Sequence, residues 1–474
     1  MSNATRLFVL AGAALSFSSA VLAAEPVVDT DQVRATVREM LADAETRSSL
    51  LEGGGTAGHN GRNFYLASGD GNFVMNFFAY TQLRYMVHFS DNTNPGGTPS
   101  TPSGDSFDSG FTNNLTVVGI FGNFLSPAWE YVVSVQMSDN SGSNVAPVTP
   151  GGAPTTTGGG GAFLYDGYIS YKFDQNAKFQ MGQYKSHFMR EASLGDTTLM
   201  AANRSVLESA FGQGRSQGVS AIWTSDAFFA ALDFNDGFRT ANTNWNSTAE
   251  SDYNVGGRFN WRFAGSDDQL RDYTSMPGDP FGGCVGGAVA YAQGLNDPAS
   301  VIGVPPVSTK YGYLTYTVDA QVEGGGFGAY AAFTGANTDQ RDPAGNNLNN
   351  YGGALQGNWR FHKDWEVFCR GDWIQMDSAQ VNIAPVTGQR RDMFFVTPGI
   401  NYYIAGQAAK VTLDCIIALQ PSAVLATTSI VPGGSAGAGI PGNGSILNAN
   451  NGIGLLGSTQ GGETAVRLQF QAAF

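Results

Sequence analysis

Basic residues are concentrated in one stretch of the chain that departs from the surrounding sequence pattern. Residues 185–215 contain Lys185, Arg190, Arg204 and Arg215 among apolar side chains. A guanidinium donates two parallel hydrogen bonds from a planar fork and stays charged at any physiological pH, so arginine is suited to binding carboxylates and phosphates. These residue types predict reversible binding of anions, in which no covalent bond is made or broken.

Catalytic chemistry has little support in the sequence. The chain has four histidines, and none has the spacing of a metal site. It contains no Gly-x-Ser-x-Gly elbow and no phosphate-binding loop motif. Its three cysteines are far apart and odd in number, which predicts neither a disulfide framework nor a metal centre. We therefore expect a protein that is not an enzyme and needs no cofactor or metal. A hydrolase built on His88 or His187 with a nearby serine is the enzymatic alternative.

The elements that must position the basic residues alternate between apolar and polar positions. From Asn72 to Phe89, apolar side chains such as Leu83 occupy one face and polar side chains such as Arg84 occupy the other. The last residues, Glu463 to Phe474, repeat this alternation. A period of two is that of a β-strand with two unlike faces. We expect the last strand to pair with the first, with the apolar faces of both on the same side.

About sixteen such strands can be placed between residues 72 and 474, an even number that is usual for bacterial outer-membrane barrels. Short turns such as 174–176 and 362–364 alternate with long loops such as 140–162 and 421–462. We therefore predict an all-β fold, a transmembrane antiparallel up-and-down β-barrel of about 16 strands over residues 72–474. A soluble sandwich that ends in an edge strand is the alternative, and it would not alternate turn lengths in this way.

Composition agrees with a membrane barrel. Only 14% of the residues are charged, whereas a soluble domain usually has about 25%. No apolar run reaches the ~18 residues that a membrane helix needs. The net charge of -14 excludes a generally basic surface for binding nucleic acid. It does not determine the selectivity of a pore, because the field that an ion experiences there is local.

The first 71 residues differ from the rest and predict export. Residues 1–23 have the apolar run and small-residue cut of a secretory signal peptide. Residues 24–55 have the spacing of a short periplasmic helix, either one that forms a coiled coil with its copies or a lone helix, with a disordered arm as the further alternative. Residues 56–71 are interpreted as a linker. The predicted location is the bacterial outer membrane, with the helix in the periplasm.

Several basic residues fall on the polar face of their strands and are expected to line the lumen. The loop 185–215 has apolar anchors and would fold inward, so that its four basic residues form a constriction. A packed extracellular loop with solvated charges is the alternative for this stretch. Carboxylates also fall on the inner faces, and Tyr165 is assigned to the outer face of its strand. The predicted lumen-lining residues are Arg84, Lys172, Arg258, Arg262, Arg360, Arg370 and Arg467.

The sequence around this loop resembles the phosphate-selective porins O and P. The resemblance extends more loosely to the strand plan, the N-terminal helix and the C-terminal Arg-x-Gln-Phe pattern. His187 and Asn203 stand where the family commonly has a proline and an acidic residue. The resemblance implies a trimer of sixteen-stranded barrels in which lumenal arginines and lysines pass anions. The positions that carry it are Gly182-Gln183-Tyr184-Lys185, Phe188, Glu191 and Asn203-Arg204-Ser205.

Together, the pattern and the resemblance predict an outer-membrane porin for passive diffusion of small hydrophilic solutes and ions. We expect it to prefer anions, with phosphate-type anions among the candidates, and to work as a homotrimer in outer-membrane lipid without a nucleic-acid partner. A structural or adhesive barrel whose long loops bind a ligand outside the cell is the alternative.

Overall fold

The computed structural model describes residues 54–90, 106–138, 161–247, 250–295, 311–339, 347–379, 390–427, 430–431, 446–447 and 452–474. The predicted signal peptide lies outside the described residues, and so does the predicted periplasmic helix apart from its last two positions. No helix among the described residues is long and apolar enough to cross a membrane.

The described residues form one antiparallel sheet of eighteen strands. In chain order these are β1 (Thr56–His59), β2 (Phe64–Ala67), β3 (Val74–Ser90), β4 (Ser106–Phe124), β5 (Ser126–Ser138), β6 (Gly161–Lys172), β7 (Ala177–Lys185), β8 (Arg215–Thr224), β9 (Phe228–Asn235), β10 (Tyr253–Ala264), β11 (Gly282–Leu295), β12 (Tyr311–Gly324), β13 (Phe327–Thr338), β14 (Leu348–His362), β15 (Trp365–Gln375), β16 (Asp392–Ala405), β17 (Ala409–Ala418) and β18 (Thr464–Ala473).

The two ends of the sheet meet as the sequence predicts. From β3 onward each strand pairs with the next along the chain, and β18 pairs antiparallel with β3. Leu468 lies opposite Tyr85, and Gln469 lies opposite Arg84. Since side chains alternate between the faces, this register places the apolar residues of both strands outside and the polar ones inside. The sixteen strands β3–β18 thus form a closed barrel, and the prediction of about sixteen strands is confirmed.

Turn lengths differ between the two ends of the barrel. At one end, residues 173–176 join β6 to β7 and residues 363–364 join β14 to β15. At the other end, residues 186–214 join β7 to β8 and residues 419–463 join β17 to β18. We refer to these as the short-turn end and the long-loop end. Outer-membrane barrels have this asymmetry, with the short turns on the periplasmic side.

The segment predicted as a linker, residues 56–71, instead contains a β-hairpin. β1 pairs with β2, and β2 pairs with the first residues of β3, where Phe64 lies opposite Phe77. β18 reaches only as far as Tyr80 along this edge of β3, so β2 satisfies backbone groups that would otherwise be unpaired. Two strands of four residues give too short an alternation to be recognised in the sequence.

The strand β6 changes phase near its middle. Ser134 of β5 lies opposite Asp166, but Val135 lies opposite Leu164, so β6 has one extra residue. Such a β-bulge reverses the alternation of faces beyond it. Tyr165 therefore points into the barrel, and its hydroxyl donates a hydrogen bond of 2.8 Å to Asp196. The assignment of Tyr165 to the outer face is wrong, because a strict period of two cannot account for an inserted residue.

An apolar core fills one side of the barrel interior. The helices α1 (Arg190–Ser193) and α2 (Val206–Phe211) lie between β7 and β8, and α3 (Ala423–Thr427) lies between β17 and β18. α2 rests against β13, β14 and β15. Apolar side chains of the two segments 186–214 and 419–463 cover small and apolar residues on the inner faces of β11–β18. This contact removes those residues from water. The loop side chains include Phe188, Leu207, Phe211, Val424, Leu447 and Ile453, and the wall side chains include Ala288, Ala332, Ile374 and Phe395.

Candidate functional site

The side of the interior next to β3–β10 contains a cavity of about 750 Å³. It runs from Arg215, at the long-loop end of β8, to Arg262 and Asp267 near the short-turn end. The lining has an excess of positive charge, although the whole chain carries -14. Its six basic side chains are Lys178, Lys185, Arg190, Arg215, Arg262 and Arg271, and its three carboxylates are Asp166, Asp196 and Asp267.

Asp196 attaches the inward loop to the barrel wall. Tyr80 of β3 and Tyr165 of β6 each donate a hydroxyl hydrogen bond of 2.8 Å to one of its oxygens. Arg204 donates to the other oxygen at 2.7 Å, and Nζ of Lys185 lies 3.7 Å from that oxygen. Burial opposes ionisation of this carboxyl, but Lys185 and Arg204 hold its pKa well below the usual range. Asp196 is therefore a carboxylate that fixes two of the predicted constriction residues.

Arg215 is held in place by two contacts. Its guanidinium donates to both oxygens of Asp166, at 2.9 and 3.0 Å. Its Cζ atom also lies 3.3 Å from the centroid of the Tyr165 ring. A bidentate pair and an aromatic face together restrict the orientation of the guanidinium. The structure thus brings Lys185 and Arg215 together on the cavity wall around Asp166 and Asp196.

The other two predicted constriction residues hold the loop itself. Besides Asp196, Arg204 donates to the carbonyl oxygens of Glu191 and Leu194, at 3.2 and 2.8 Å. Arg190 borders the cavity, but it donates to Gln321 at 2.7 Å and to the carbonyl oxygen of Leu270 at 2.6 Å. All of these acceptors belong to the protein itself, so both guanidinium groups hold segments of the chain together.

Four of the predicted lumen-lining arginines occupy inner faces but contact the inward loops. Arg258 pairs with Asp319, Arg370 with Asp372 and Arg467 with Asp414, and each of these arginines is nearly fully buried. Each also donates to a backbone carbonyl of an inward loop, and Arg84 does the same. These carbonyls belong to Phe188 for Arg258 (2.6 Å), Asn203 for Arg370 (3.0 Å), Ile453 for Arg467 (2.9 Å) and Ala202 for Arg84 (2.7 Å).

The remaining three predicted lumen residues lie near the short-turn end. Lys172 pairs with Glu130 at 2.5 Å and is half exposed. Arg262 pairs with Asp267 at 2.9 Å and lines the cavity. Arg360 donates to the carbonyl oxygen of Lys363 at 3.1 Å, and its Cζ lies 4.0 Å from the centroid of the Tyr403 ring. Among the seven predicted lumen residues, Arg262 is the one that borders the described cavity.

Two of the residues that carry the family resemblance, Glu191 and Ser205, hold parts of the inward loop together. Glu191 of α1 accepts a hydrogen bond of 2.8 Å from the backbone N–H of Ser205 and another from its hydroxyl. The Ser205 hydroxyl in turn accepts from the N–H of Glu208 at 2.9 Å and caps α2. Burial raises the pKa of the Glu191 carboxyl. This contact joins the two short helices of the loop.

The enzymatic alternative finds no support in the geometry of the two histidines that it names. Nδ1 of His187 lies 3.1 Å from Asp233, and the Ser220 hydroxyl lies 3.5 Å from the same nitrogen. A serine–histidine–aspartate relay needs the serine and the carboxylate on opposite ring nitrogens. Nε2 of His88 lies 2.9 Å from Glu463, so this nitrogen faces a carboxylate and is not presented to a serine.

Sequence reasoning missed several residues of the cavity. The alternation places Tyr80 on the polar face of its strand but does not indicate its contact with Asp196, and it could also have identified Lys178 on the inner phase of β7. Tyr165 was hidden by the β-bulge. Asp196 lies in a loop, and no spacing in the sequence indicates that it meets the wall.

Comparison with known proteins supports the fold. No protein-family model matches the chain, and no curated protein sequence matches it. The outer membrane channel DcaP of Acinetobacter baumannii has a TM-score of 0.50 at 10% identity, over 84% of this chain and 97% of that one. The anion-selective porin from Comamonas acidovorans has a TM-score of 0.48 at 10% identity, over 84% and 100%. OprB of Pseudomonas putida has 0.49 at 9% identity, over 90% and 96%.

At these identities the likeness shows the fold alone. The chain shares its antiparallel barrel architecture with the outer membrane channel DcaP. Its membership of the phosphate-selective porin family stays a prediction.

Proposed function

We propose that this protein is a channel of the bacterial outer membrane that passes small hydrophilic solutes and ions by passive diffusion and prefers anions. The observation that carries the proposal is the cavity inside a closed barrel, with six basic side chains and three carboxylates in its lining. A cleft with low-dielectric walls focuses the field of its own lining charges. The local positive excess therefore favours anions even though the chain as a whole is acidic.

The outer surface of the barrel supports the membrane location. Large apolar side chains such as Phe259, Trp261 and Leu355 are exposed on outward faces. In water such a surface would aggregate, whereas in lipid it contacts its preferred solvent. The shared fold of DcaP, an outer membrane channel, agrees with this location. Outer-membrane lipid and small anions are the proposed partners, and a homotrimer is the proposed assembly.

Planar bilayers test the channel directly. Purified protein should insert and produce stepwise ion currents, and light scattering of the detergent-solubilised protein should give three chains per particle. Replacing chloride by phosphate on one side measures whether phosphate-type anions are preferred. Insertion without stepwise current would contradict the channel function.

One observation favours the alternative of a structural or adhesive barrel. The loops fill the side of the interior next to β11–β18 with an apolar core, which narrows any path. If the cavity were also closed, the barrel would present its long loops without conducting. Stepwise current from the reconstituted protein would exclude this alternative.

A further inference from the structure

One wall of the cavity is apolar, which a passage for inorganic ions alone does not need. Inner positions of a water-filled barrel are usually polar. Here the inner faces of β3–β9 present aromatic and aliphatic side chains to the cavity. Apolar side chains exposed in a lumen remain in contact with water unless the apolar part of a solute covers them. The partly exposed wall residues are Phe78, Val132, Tyr168 and Phe229, and the lining also includes the buried side chains of Val117 and Ile222.

Phe78 lies flat against this wall. Its partner on β4 is Gly119, and a Cβ atom built on that glycine would lie 2.5 Å from Cζ of Phe78. The aromatic ring thus occupies the space that a side chain at position 119 would take. Because Phe78 also lines the cavity, the ring presents apolar surface to a solute there. Aromatic rings of protein and solute attract each other in offset or edge-to-face arrangements.

Tyr168 continues the wall. It lies opposite Val132 on β5 and Gly182 on β7, so one neighbour is aliphatic and the other has no side chain. Its ring centroid is 6.5 Å from that of Tyr184, in an edge-on arrangement.

The cavity also contains a lysine ammonium group without a hydrogen-bond partner among the described residues. Lys178 lies on the inner face of β7, and its side chain forms no direct hydrogen bond or ion pair with any described residue, although the charge of Glu130 acts on it through space. Its cross-strand neighbour, Lys172, is paired with Glu130 at 2.5 Å. An unpaired ammonium group in a cavity with an apolar wall can accept a carboxylate as a charge-assisted hydrogen-bond partner.

We propose that this cavity selects aromatic carboxylates, with the ring against the wall of Phe78 and Tyr168 and the carboxylate at Lys178. The inference rests on the proposed channel function and adds the chemical class of the solute. An inorganic anion would use the cations but leave the wall in water, and a neutral aromatic solute would use the wall but leave Lys178 unpaired. Only a solute with both groups uses both parts of the cavity.

Inhibition of the chloride current measures this selectivity. Benzoate, acetate and benzyl alcohol are added in turn to the reconstituted wild-type channel, since acetate lacks the ring and benzyl alcohol lacks the charge. Benzoate should reduce the chloride current at a concentration about tenfold lower than either of the other two, because each group contributes separately. Equal potency of acetate and benzoate, or of benzyl alcohol and benzoate, would overturn the inference.

Two variants with matched controls locate the site. Phe78→Leu should weaken inhibition by benzoate about fivefold and leave that by acetate unchanged, whereas Phe77→Leu, on the outer face of the same strand, should change neither. Lys178→Gln should weaken inhibition by benzoate, whereas Lys363→Gln, in the exposed turn between β14 and β15, should not. Loss of benzoate inhibition in the control variants but not in Phe78→Leu would place the site elsewhere and reject the proposal.

The two proposals fail in different ways. Stepwise chloride current without discrimination between benzoate and acetate would reject the aromatic-carboxylate site and leave the channel standing. Absence of current would reject the channel. In that case, calorimetric titration of benzoate into the detergent-solubilised protein still tests the site, with binding lost in Phe78→Leu expected and no binding to the wild type contradicting it.

Discussion

The buried arginines illustrate how much a residue's role depends on what faces it. Arg258, Arg370 and Arg467 each join a wall carboxylate to a carbonyl oxygen of an inward loop. Their alternation in the sequence places them on inner faces, but only the position of the loops reveals their contacts. Each of these arginines is paired with a carboxylate inside the protein, so a solute encounters the charges of the cavity lining instead.

Removing Arg467 should destabilise the barrel strongly. Arg467 and Asp414 are both fully buried and are joined by hydrogen bonds of 2.7 and 2.8 Å, so Arg467→Met leaves a buried carboxylate without its partner. We expect a loss of about 3 kcal/mol in the free energy of unfolding, measured by urea denaturation in lipid vesicles.

Two controls accompany this measurement. The double variant Arg467→Met with Asp414→Leu should recover most of the loss, because it removes both charges of the pair together. Lys172→Gln, which removes a partly exposed pair, should change the free energy by less than about 1 kcal/mol. A loss in Lys172→Gln as large as in Arg467→Met would show that burial does not determine the effect.

At the scale of elements, the barrel strands were predictable and the loops were not. Each barrel strand has a buried inner face and a lipid-facing outer face, so its period of two is visible in the sequence. The loop 185–215 could be recognised because the alternation stops there, and its position inside the barrel was an inference from composition. The hairpin β1–β2 and the bulge at Tyr165 were missed because pairing over four residues and a single inserted residue leave no periodic signal.

The position of the inward loop should depend on the charge of Asp196. Its pKa in the folded protein lies well below the usual range, whereas in the unfolded chain it is about 3.9. Its stabilising contribution is therefore complete above the unfolded pKa and is lost as the pH falls from about 4 toward the folded pKa. The melting temperature of the wild type, followed between pH 7 and pH 2, should fall toward that of Asp196→Asn at the acid end. A difference between the two proteins that stays constant with pH would contradict this role.

At the scale of the whole molecule, net charge and local charge differ in sign. The chain carries -14, yet the described cavity has twice as many basic as acidic side chains. The cavity lies beside β3–β10, opposite the apolar core formed by the loops. The alternation in the sequence predicts that many of these charges face inward. It does not predict which of them remain available to solutes, because that depends on where the loops pack.

The reversal potential in a potassium chloride gradient tests the central claim most directly. The wild-type channel in planar bilayers should reverse toward the chloride equilibrium potential. Lys178→Gln combined with Lys185→Gln should shift the reversal potential toward that of potassium, whereas Lys363→Gln, in the exposed turn between β14 and β15, should leave it unchanged. A wild-type potential near that of potassium, unaffected by the two cavity substitutions, would contradict the account that cavity charge makes the proposed channel prefer anions.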